Sequence, residues 1–319
     1  MLEEQILKLF PLHMRDGLVQ ADIDQERLEE IRVRVGQPLM FLFGDGEYIY
    51  DEKTQSLQVN ASSPYRMSQR DLEEMVGFLC NYSVYAYEEQ LRMGYLTLRG
   101  GHRVGVAGEA ALHQGRIVRL LHIYFLNIRI AREKRGCAMQ LVGALRKGGG
   151  IYNTLILSPP GVGKTTFLRD SIRLLSEGNG CYPGLKIGVV DERSELGAGY
   201  LGVPQNDLGP RTDVLEGIGK SEGIYMLLRS MSPQVIAVDE LGTQEDFEAV
   251  ARAFHSGCHL IGTMHGEGIE SLQRLSGFFR WNEKNELERF VVLKKNQSGQ
   301  REMHLYNRRM ERIGGVKCC

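Results

Sequence analysis

Residues 158–166, Ser-Pro-Pro-Gly-Val-Gly-Lys-Thr-Thr, carry the clearest chemistry in the chain. Gly161 and Gly163 let backbone N–H groups turn inward, as a loop that surrounds phosphate oxygens requires. Lys164 brings a point positive charge to β and γ phosphates, and the Thr165 hydroxyl suits Mg²⁺. Pro160, Gly161, Val162, Gly163, Lys164, Thr165 and Thr166 are therefore the expected binding residues for a nucleotide. ATP with Mg²⁺ is the expected ligand and cofactor. The first glycine of the G-x-x-x-x-G-K-[ST] pattern is Ser158 here, at the least constrained position of the set.

Two acidic groups follow apolar runs. Val235-Ile-Ala-Val238 leads into Asp239-Glu240, and Leu185–Val190 leads into Asp191-Glu-Arg-Ser-Glu195. Carboxylates after a buried strand lie at the edge of an α/β sheet where nucleotides bind. Asp239 is the expected Mg²⁺ partner beside Thr165, and Glu240 the expected polariser of an attacking water. The cluster of Asp191, Glu192 and Glu195 offers a second source of that function, with Glu192 the alternative. His265, after Gly262-Thr-Met, is placed to contact a γ-phosphate. Arg211, in a loop biased by Pro210, is a candidate sensor or trans-acting finger.

These groups need elements to hold them. Thr154–Leu157 reads as a buried strand, the two prolines end it, and Phe167, Leu168, Ile172 and Leu175 recur at helical spacing after Lys164. From 151 onward strands and helices alternate, as a mostly parallel sheet demands. A helix is expected over Ser221–Met231, another over Gln244–Ser256 and a strand over Cys258–Thr263. The Gly-rich stretch 197–220 reads as one long loop, and Phe290–Leu293 with Glu302–Tyr306 as a hairpin. The first part of the chain differs. It predicts two helices within residues 1–30, the second over Asp24–Glu30, then short strands at Ile31–Val35, Leu39–Phe43 and Tyr48–Tyr50. Ser68 caps a helix to Tyr82, a helical stretch follows over Tyr85–Leu91, and three strands lie at 95–99, 103–109 and 117–121. The expected domains are a smaller α+β N-terminal domain over 1–135, a Gly-rich linker over 136–150 ending in Lys147-Gly-Gly-Gly150, and a P-loop domain over 151–319. The expected fold class is α/β, a P-loop domain with a mostly parallel sheet preceded by the smaller α+β domain.

At 319 residues, 42% hydrophobic and 25% charged, the chain is an ordinary globular protein long enough for two domains. A net charge of −1 argues against an electrostatic grip on nucleic acid, so no nucleic-acid partner is expected. No apolar run reaches the ~18 residues of a membrane span. The N-terminus reads as an amphipathic helix, not a signal peptide. Cys80, Cys137, Cys181, Cys258, Cys318 and Cys319 form no Cys-x-x-Cys pair and are expected to be reduced thiols in the cytoplasm.

The motifs in this order resemble the traffic ATPases of type II and type IV secretion and pilus retraction. The matching segments are Ser158–Thr165, Asp191–Glu195, Val235–Glu240 and Gly262–Gly266, with Glu245–His265 the longest likeness. Leu208–Glu216, Arg229–Glu240 and Leu126–Glu133 are similar to a sporulation branch, the stage III AA family. The resemblance implies ATP hydrolysis, a hexameric ring and an N-terminal domain turning against the ATPase domain. It further implies a cytoplasmic motor of the mother cell that docks on membrane proteins of the channel to the forespore. Asp239-Glu240 stands where the secretion motors have Gly-Glu, and Gly242-Thr243 where they have Arg-Asp. In such rings trans arginines come from the first domain or the linker side, so Arg92, Arg103 and Arg119, near strand or turn ends, are candidates. Two rivals remain from the residues themselves. One is a nucleic-acid-dependent ATPase using Lys294-Lys295 and Arg308-Arg309. The other is a non-hydrolysing switch or small-molecule kinase, whose arginine-rich lid is not evident.

Overall fold

The computed structural model describes residues 1–273, 278, 286–296 and 299–317. Cys318 and Cys319 lie outside the described residues, whereas Cys80, Cys137, Cys181 and Cys258 are free thiols. No helix among the described residues is long and apolar enough to cross a membrane. The chain divides into two compact units, Met1–Arg132 with Tyr200–Gln205, and Glu133–Gly199 with Asn206–Cys319.

The first unit holds helices α1 (Glu4–Leu7), α2 (Leu12–Gln20), α3 (Gln69–Leu79) and α4 (Glu88–Arg92). Its strands are β1 (Leu28–Arg34), β2 (Met40–Phe43), β3 (Gly46–Asp51), β4 (Ser56–Gln58), β5 (Tyr95–Thr97), β6 (Arg103–His113) and β7 (Arg116–Arg129). They form one antiparallel sheet in the order β4-β3-β2-β1-β7-β6-β5. The alternation of β1 buries Ile31 and Val33 and turns Arg32 and Arg34 away, as its period of two requires. Ser68 caps α3 through a reciprocal box with Asp71. The helix expected at Asp24–Glu30 does not form. Asp24 Oδ1 accepts the Glu26 N–H (3.1 Å) in an Asx turn, and Leu28 onward pairs with β2 instead.

The second unit begins with α5 (Met139–Leu145) and the two-stranded sheet β8 (Arg146–Lys147) and β9 (Gly150–Ile151). Residues 136–150, read from sequence as a linker, are thus packed structure. Ala138, Leu141, Leu145 and Ile151 are buried in the same cluster as Leu168 and Ile172. Gly148 and Gly149 form the turn between β8 and β9, with Gly148 at φ +53°.

The main sheet contains β10 (Thr154–Ser158), β11 (Ile187–Asp191), β12 (Thr212–Glu216), β13 (Val235–Val238), β14 (His259–His265), β15 (Arg289–Lys295), β16 (Arg301–Asn307) and β17 (Arg312–Lys317). Its order is β12-β11-β13-β14-β10-β15-β16-β17. The first six run parallel, and β16 and β17 extend the sheet antiparallel. Successive residues of β10, β11 and β13 are all buried because both faces are covered. Ile156, Val189 and Ala237 pack with the side of α5 and α6 (Lys164–Glu177), whereas Leu157, Val190 and Val238 pack with α7 (Lys220–Ser230) and α8 (Gln244–His255). The short α9 (Glu270–Gln273) follows β14. The fold is therefore α/β with a mostly parallel sheet. Two strands were not legible: β12, half-exposed at the sheet edge inside the expected long loop, and β17. The expected tail hairpin is real, yet its first strand lies beside β10 within the main sheet.

Two sets of contacts fix helices on the two faces of the main sheet. Buried Asp170 on α6 accepts the N–H groups of Gly136 (3.1 Å) and Ala138 (2.8 Å) and pairs with Arg173 (2.7 Å). Thr243 and Asp246 form a capping box for α8, and Asp246 Oδ2 also accepts the Gly242 N–H (3.1 Å). The Gly242-Thr243 pair thus serves as a helix start.

Asp170→Ala should destabilise the fold by about 3 kcal/mol or more, because it strands the buried Arg173 and two N–H donors. The Asp170 carboxyl is held below its ordinary value. Burial works to raise it, and the Ala138, Arg173 and Gly136 contacts outweigh that effect. A depressed carboxylate contributes stability that is complete above the unfolded value near ~3.9 and is lost as pH falls below it. Denaturant melts of Asp170→Asn should therefore lose part of their acid sensitivity below that pH. Thr243→Ala should cost about 1 kcal/mol in the same melts.

Candidate functional site

The sheet brings four strand ends to one edge. The carboxyl ends of β10, β11, β13 and β14 lead respectively into 159–163, 192–195, 239–240 and 265–266. Parallel pairing forces this, because every strand then ends on the same side. Leu157 stands opposite Met264, Ser158 opposite His265, and Val238 opposite Gly262.

Between β10 and α6 the backbone at Gly161 has φ +72° and at Gly163 φ +107°, conformations that a side chain would strain. Val162 between them is buried, whereas Pro160 and Gly161 are exposed. Gly163 is the N-cap of the 14-residue helix α6 and offers no side chain to its first N–H groups. No acid lies in that first turn either. These donors, the helix dipole and Lys164 at the first helical position together make an anion cradle. Ser158 is buried and donates to the Pro159 carbonyl (2.9 Å), so the missing first glycine leaves a turn that closes through a hydroxyl. Thr166 follows in the same turn, where the Cys137 thiol points to its carbonyl (3.9 Å).

Thr165 and Asp239 meet. The Thr165 hydroxyl donates to Asp239 Oδ2 (2.8 Å). On the other side the Thr263 hydroxyl bonds to Asp239 Oδ1 and accepts the Glu240 N–H (2.8 Å). A hydroxyl and a carboxylate at one point are hard oxygen ligands of the kind Mg²⁺ takes, with phosphate and water completing the shell. No group of three His, Cys, Asp or Glu among the described residues could hold a metal by itself. The residues present therefore fit a cation that arrives with a phosphate.

Glu240 has φ +58°, which is strained for a residue with a side chain. Its carboxylate pairs with Arg193 (3.2 Å). Glu192 pairs with Lys220 at the start of α7. One small cleft is lined by Glu192, Glu195, Lys220, Asp239 and Glu240 together with Asp191 and Arg193, so both acidic groups face the same space. Asp191 itself is spent on the fold. Its carboxylate accepts the N–H groups of Glu195 (2.9 Å), Leu196 (2.9 Å) and Gly197 (2.7 Å) and bends the chain after β11. Burial raises its proton affinity, those three bonds oppose the rise, and the neighbouring Asp239 adds to it. Arg169 on α6 ties this loop to the P-loop helix by donating to the carbonyls of Glu195 (2.6 Å) and Leu196 (3.1 Å).

His265 is exposed at the same edge, and the next residue's N–H reaches the Ser158 carbonyl (3.2 Å). Arg211 is not brought there. It precedes β12, which runs parallel to β11, so it lies at the amino edge of the sheet. Its guanidinium donates to the Ser176 carbonyl (2.8 Å) and its N–H to the Ser176 hydroxyl (2.7 Å), at the far end of α6. At ~1.5 Å per residue, a helix of this length separates the two ends by about 20 Å. Of the arginines of the first unit, Arg103 stacks on Tyr95 (3.6 Å to the ring centre) and Arg92 stands 4.0 Å from Glu89. Sequence reasoning missed Thr263, Arg193 and Lys220 as partners of the acids. Only Thr263 left a trace, as a hydroxyl residue at the end of a strand beside the acidic one.

The family model described as "Sporulation stage III, protein AA" matches residues 2–313. Stage III sporulation protein AA of Bacillus subtilis (strain 168) is 37% identical over 321 residues, covering 99% of both chains. Among solved structures, the Legionella pneumophila ATPase DotB aligns with a TM-score of 0.58 at 15% identity, over 93% of this chain and 81% of its own. The pilus retraction motor PilT, solved with ADP, aligns with a TM-score of 0.59 at 14% identity, over 95% and 82%. These two likenesses show a shared fold, that of the RecA-like secretion ATPases. The coverage and identity together establish that this chain belongs to the sporulation stage III, protein AA family.

Proposed function

We propose that the chain is an Mg²⁺-dependent ATPase that works as a motor in sporulation. The observation that carries this reading is the Thr165–Asp239 contact at 2.8 Å, next to an uncapped helix N-terminus and Lys164. A hydroxyl and a carboxylate on a phosphate loop answer to the chemistry of a nucleotide-bound Mg²⁺, which would neutralise charge on the β and γ phosphates. Thr165 and Asp239 hold that ion, and residues 160–166 hold the phosphates. Glu240 orients and polarises the attacking water. Its support is the strained backbone that Thr263 pins next to Asp239, with the carboxylate facing the same cleft as Asp239. Glu192 approaches from the end of the neighbouring strand β11, and His265 lies on the γ-phosphate side.

The fold likeness to secretion ATPases supports a homo-oligomeric ring, with a hexamer as the form proposed. Family membership supports action at the channel between mother cell and forespore, through membrane proteins that the chain binds from the mother-cell cytoplasm. Hydrolysis would then move the N-terminal domain, residues 1–135, against the ATPase domain from residue 151 onward.

The test is ATP turnover per subunit at rising protein concentration. Lys164→Ala should lose nucleotide binding and turnover together, each by roughly 100-fold or more. Glu240→Gln should keep ATP binding and lose turnover by a similar factor, whereas Glu192→Gln should lose less. Wild-type turnover rising with concentration would support sites completed in an assembly. Turnover that survives Lys164→Ala would overturn the reading, and turnover lost more steeply in Glu192→Gln would move the water-activating role to that residue.

A further inference from the structure

The antiparallel extension of the sheet has a consequence for the nucleotide loop. Strand β15 runs parallel to β10, with Leu157 opposite Val292, and continues past it to Lys295. Strand β16 turns back with Arg301 opposite Lys295, so it starts at the carboxyl edge of the sheet, where β10 enters the phosphate loop. The Arg301 side chain lies against that loop. A Cβ placed on Gly163 would stand 3.3 Å from both Cζ and Nη2 of Arg301. Its charge is also felt by the Cys137 thiol at the Thr166 carbonyl, which burial pushes up to about 11 and Arg301 draws down.

Among the described residues the guanidinium has no hydrogen bond or ion pair. A half-buried arginine without a partner, packed on backbone that must be glycine, is unusual, because its planar fork of donors suits two phosphate oxygens at once. Lys164 is a single point charge on the same loop. Neither the backbone cradle nor Lys164 explains a second cation brought in from a strand more than a hundred residues further along.

We propose that Arg301 is a nucleotide-binding residue that clamps the α and β phosphates from the C-terminal hairpin, in the same chain as the phosphate loop. Gly163 precedes Lys164 at the mouth of the loop, so the fork bears on the phosphates that ADP and ATP share. The hairpin β15–β16 thereby becomes part of the site, and its position is sensitive to whether nucleotide is bound. This rests on the nucleotide-binding reading above.

The experiment is equilibrium titration of the full chain with fluorescent ADP and ATP in Mg²⁺, for wild type, Arg301→Ala, Arg301→Lys and Lys164→Ala. Each variant is also melted without nucleotide. Arg301→Ala should raise Kd for ADP and ATP alike by roughly tenfold, the loss expected for a charge-assisted hydrogen bond. Arg301→Lys, which keeps charge without the fork, should recover part of that. Melting without nucleotide should stay at the wild-type temperature, and the shift caused by ADP should shrink. If Arg301→Ala melts early, Arg301→Gln replaces it, and the same tenfold loss is expected. Wild-type affinity for both nucleotides in Arg301→Ala or Arg301→Gln, with binding lost in Lys164→Ala, would overturn this inference alone. Weakening of ATP but not ADP would overturn the assignment to the shared phosphates. Unchanged binding in Lys164→Ala would instead overturn the nucleotide site itself.

Discussion

The Asp239 carboxylate, held between two threonine hydroxyls, is the contact on which the site depends. Thr165 comes from the first turn of α6, and Thr263 from β14, the strand between β10 and β13. One oxygen of Asp239 fixes the phosphate-loop helix, and the other fixes the strand that leads to His265. The same Thr263 hydroxyl receives the Glu240 N–H and so holds the backbone that carries the next carboxylate. Buried or half-buried carboxylates are costly unless their lone pairs are satisfied, and here hydroxyls supply that satisfaction without adding charge.

Around that contact the acids are divided by role. Asp191 is buried and consumed by three backbone donors, which makes it a bend in the chain rather than a reagent. Glu192 and Glu240 are partly exposed and each faces one cation, Lys220 or Arg193. The Glu240–Arg193 pair is exposed on both sides, and such pairs are weak and exchange partners at small cost. The loop that carries them is joined to α6 by Arg169, so the acidic edge and the phosphate cradle are set by the same helix. Asp170, one residue further along, anchors α5 to that helix through the N–H groups of Gly136 and Ala138. The stretch ending in three glycines is therefore part of the packed unit. The glycines themselves close a turn between two short strands.

Much of the site was legible because its signals are local. Thr154–Leu157, two prolines, two glycines and an amphipathic run identify strand, turn and helix within a few residues of one another. The apolar runs before Asp191 and Asp239 announced strands, and parallel alternation implied that their ends share an edge. The Ser68 helix start was likewise written in short-range capping chemistry. The failures have a different source. Arg211 was judged by its flexible, glycine-rich neighbourhood, but Thr212–Glu216 adds to the edge of the sheet and turns that arginine to the opposite side. Asp24–Glu30 lost its helix to pairing with β2, a partner that becomes visible only in three dimensions.

The sequence by itself determined the α/β class, the phosphate loop with its Lys164 and Thr165, and the acids at the ends of two strands. These depend on residue type and on spacings that a single turn or strand can express. Only the tertiary structure decided which hydroxyl holds Asp239, which cations meet Glu192 and Glu240, that Arg211 lies away from the site, and that Arg301 lies against Gly163. Each of those facts follows from sheet order and register. Strand order places β14 and β15 on either side of β10, and nothing in the local chemistry of a strand states which neighbour it will have.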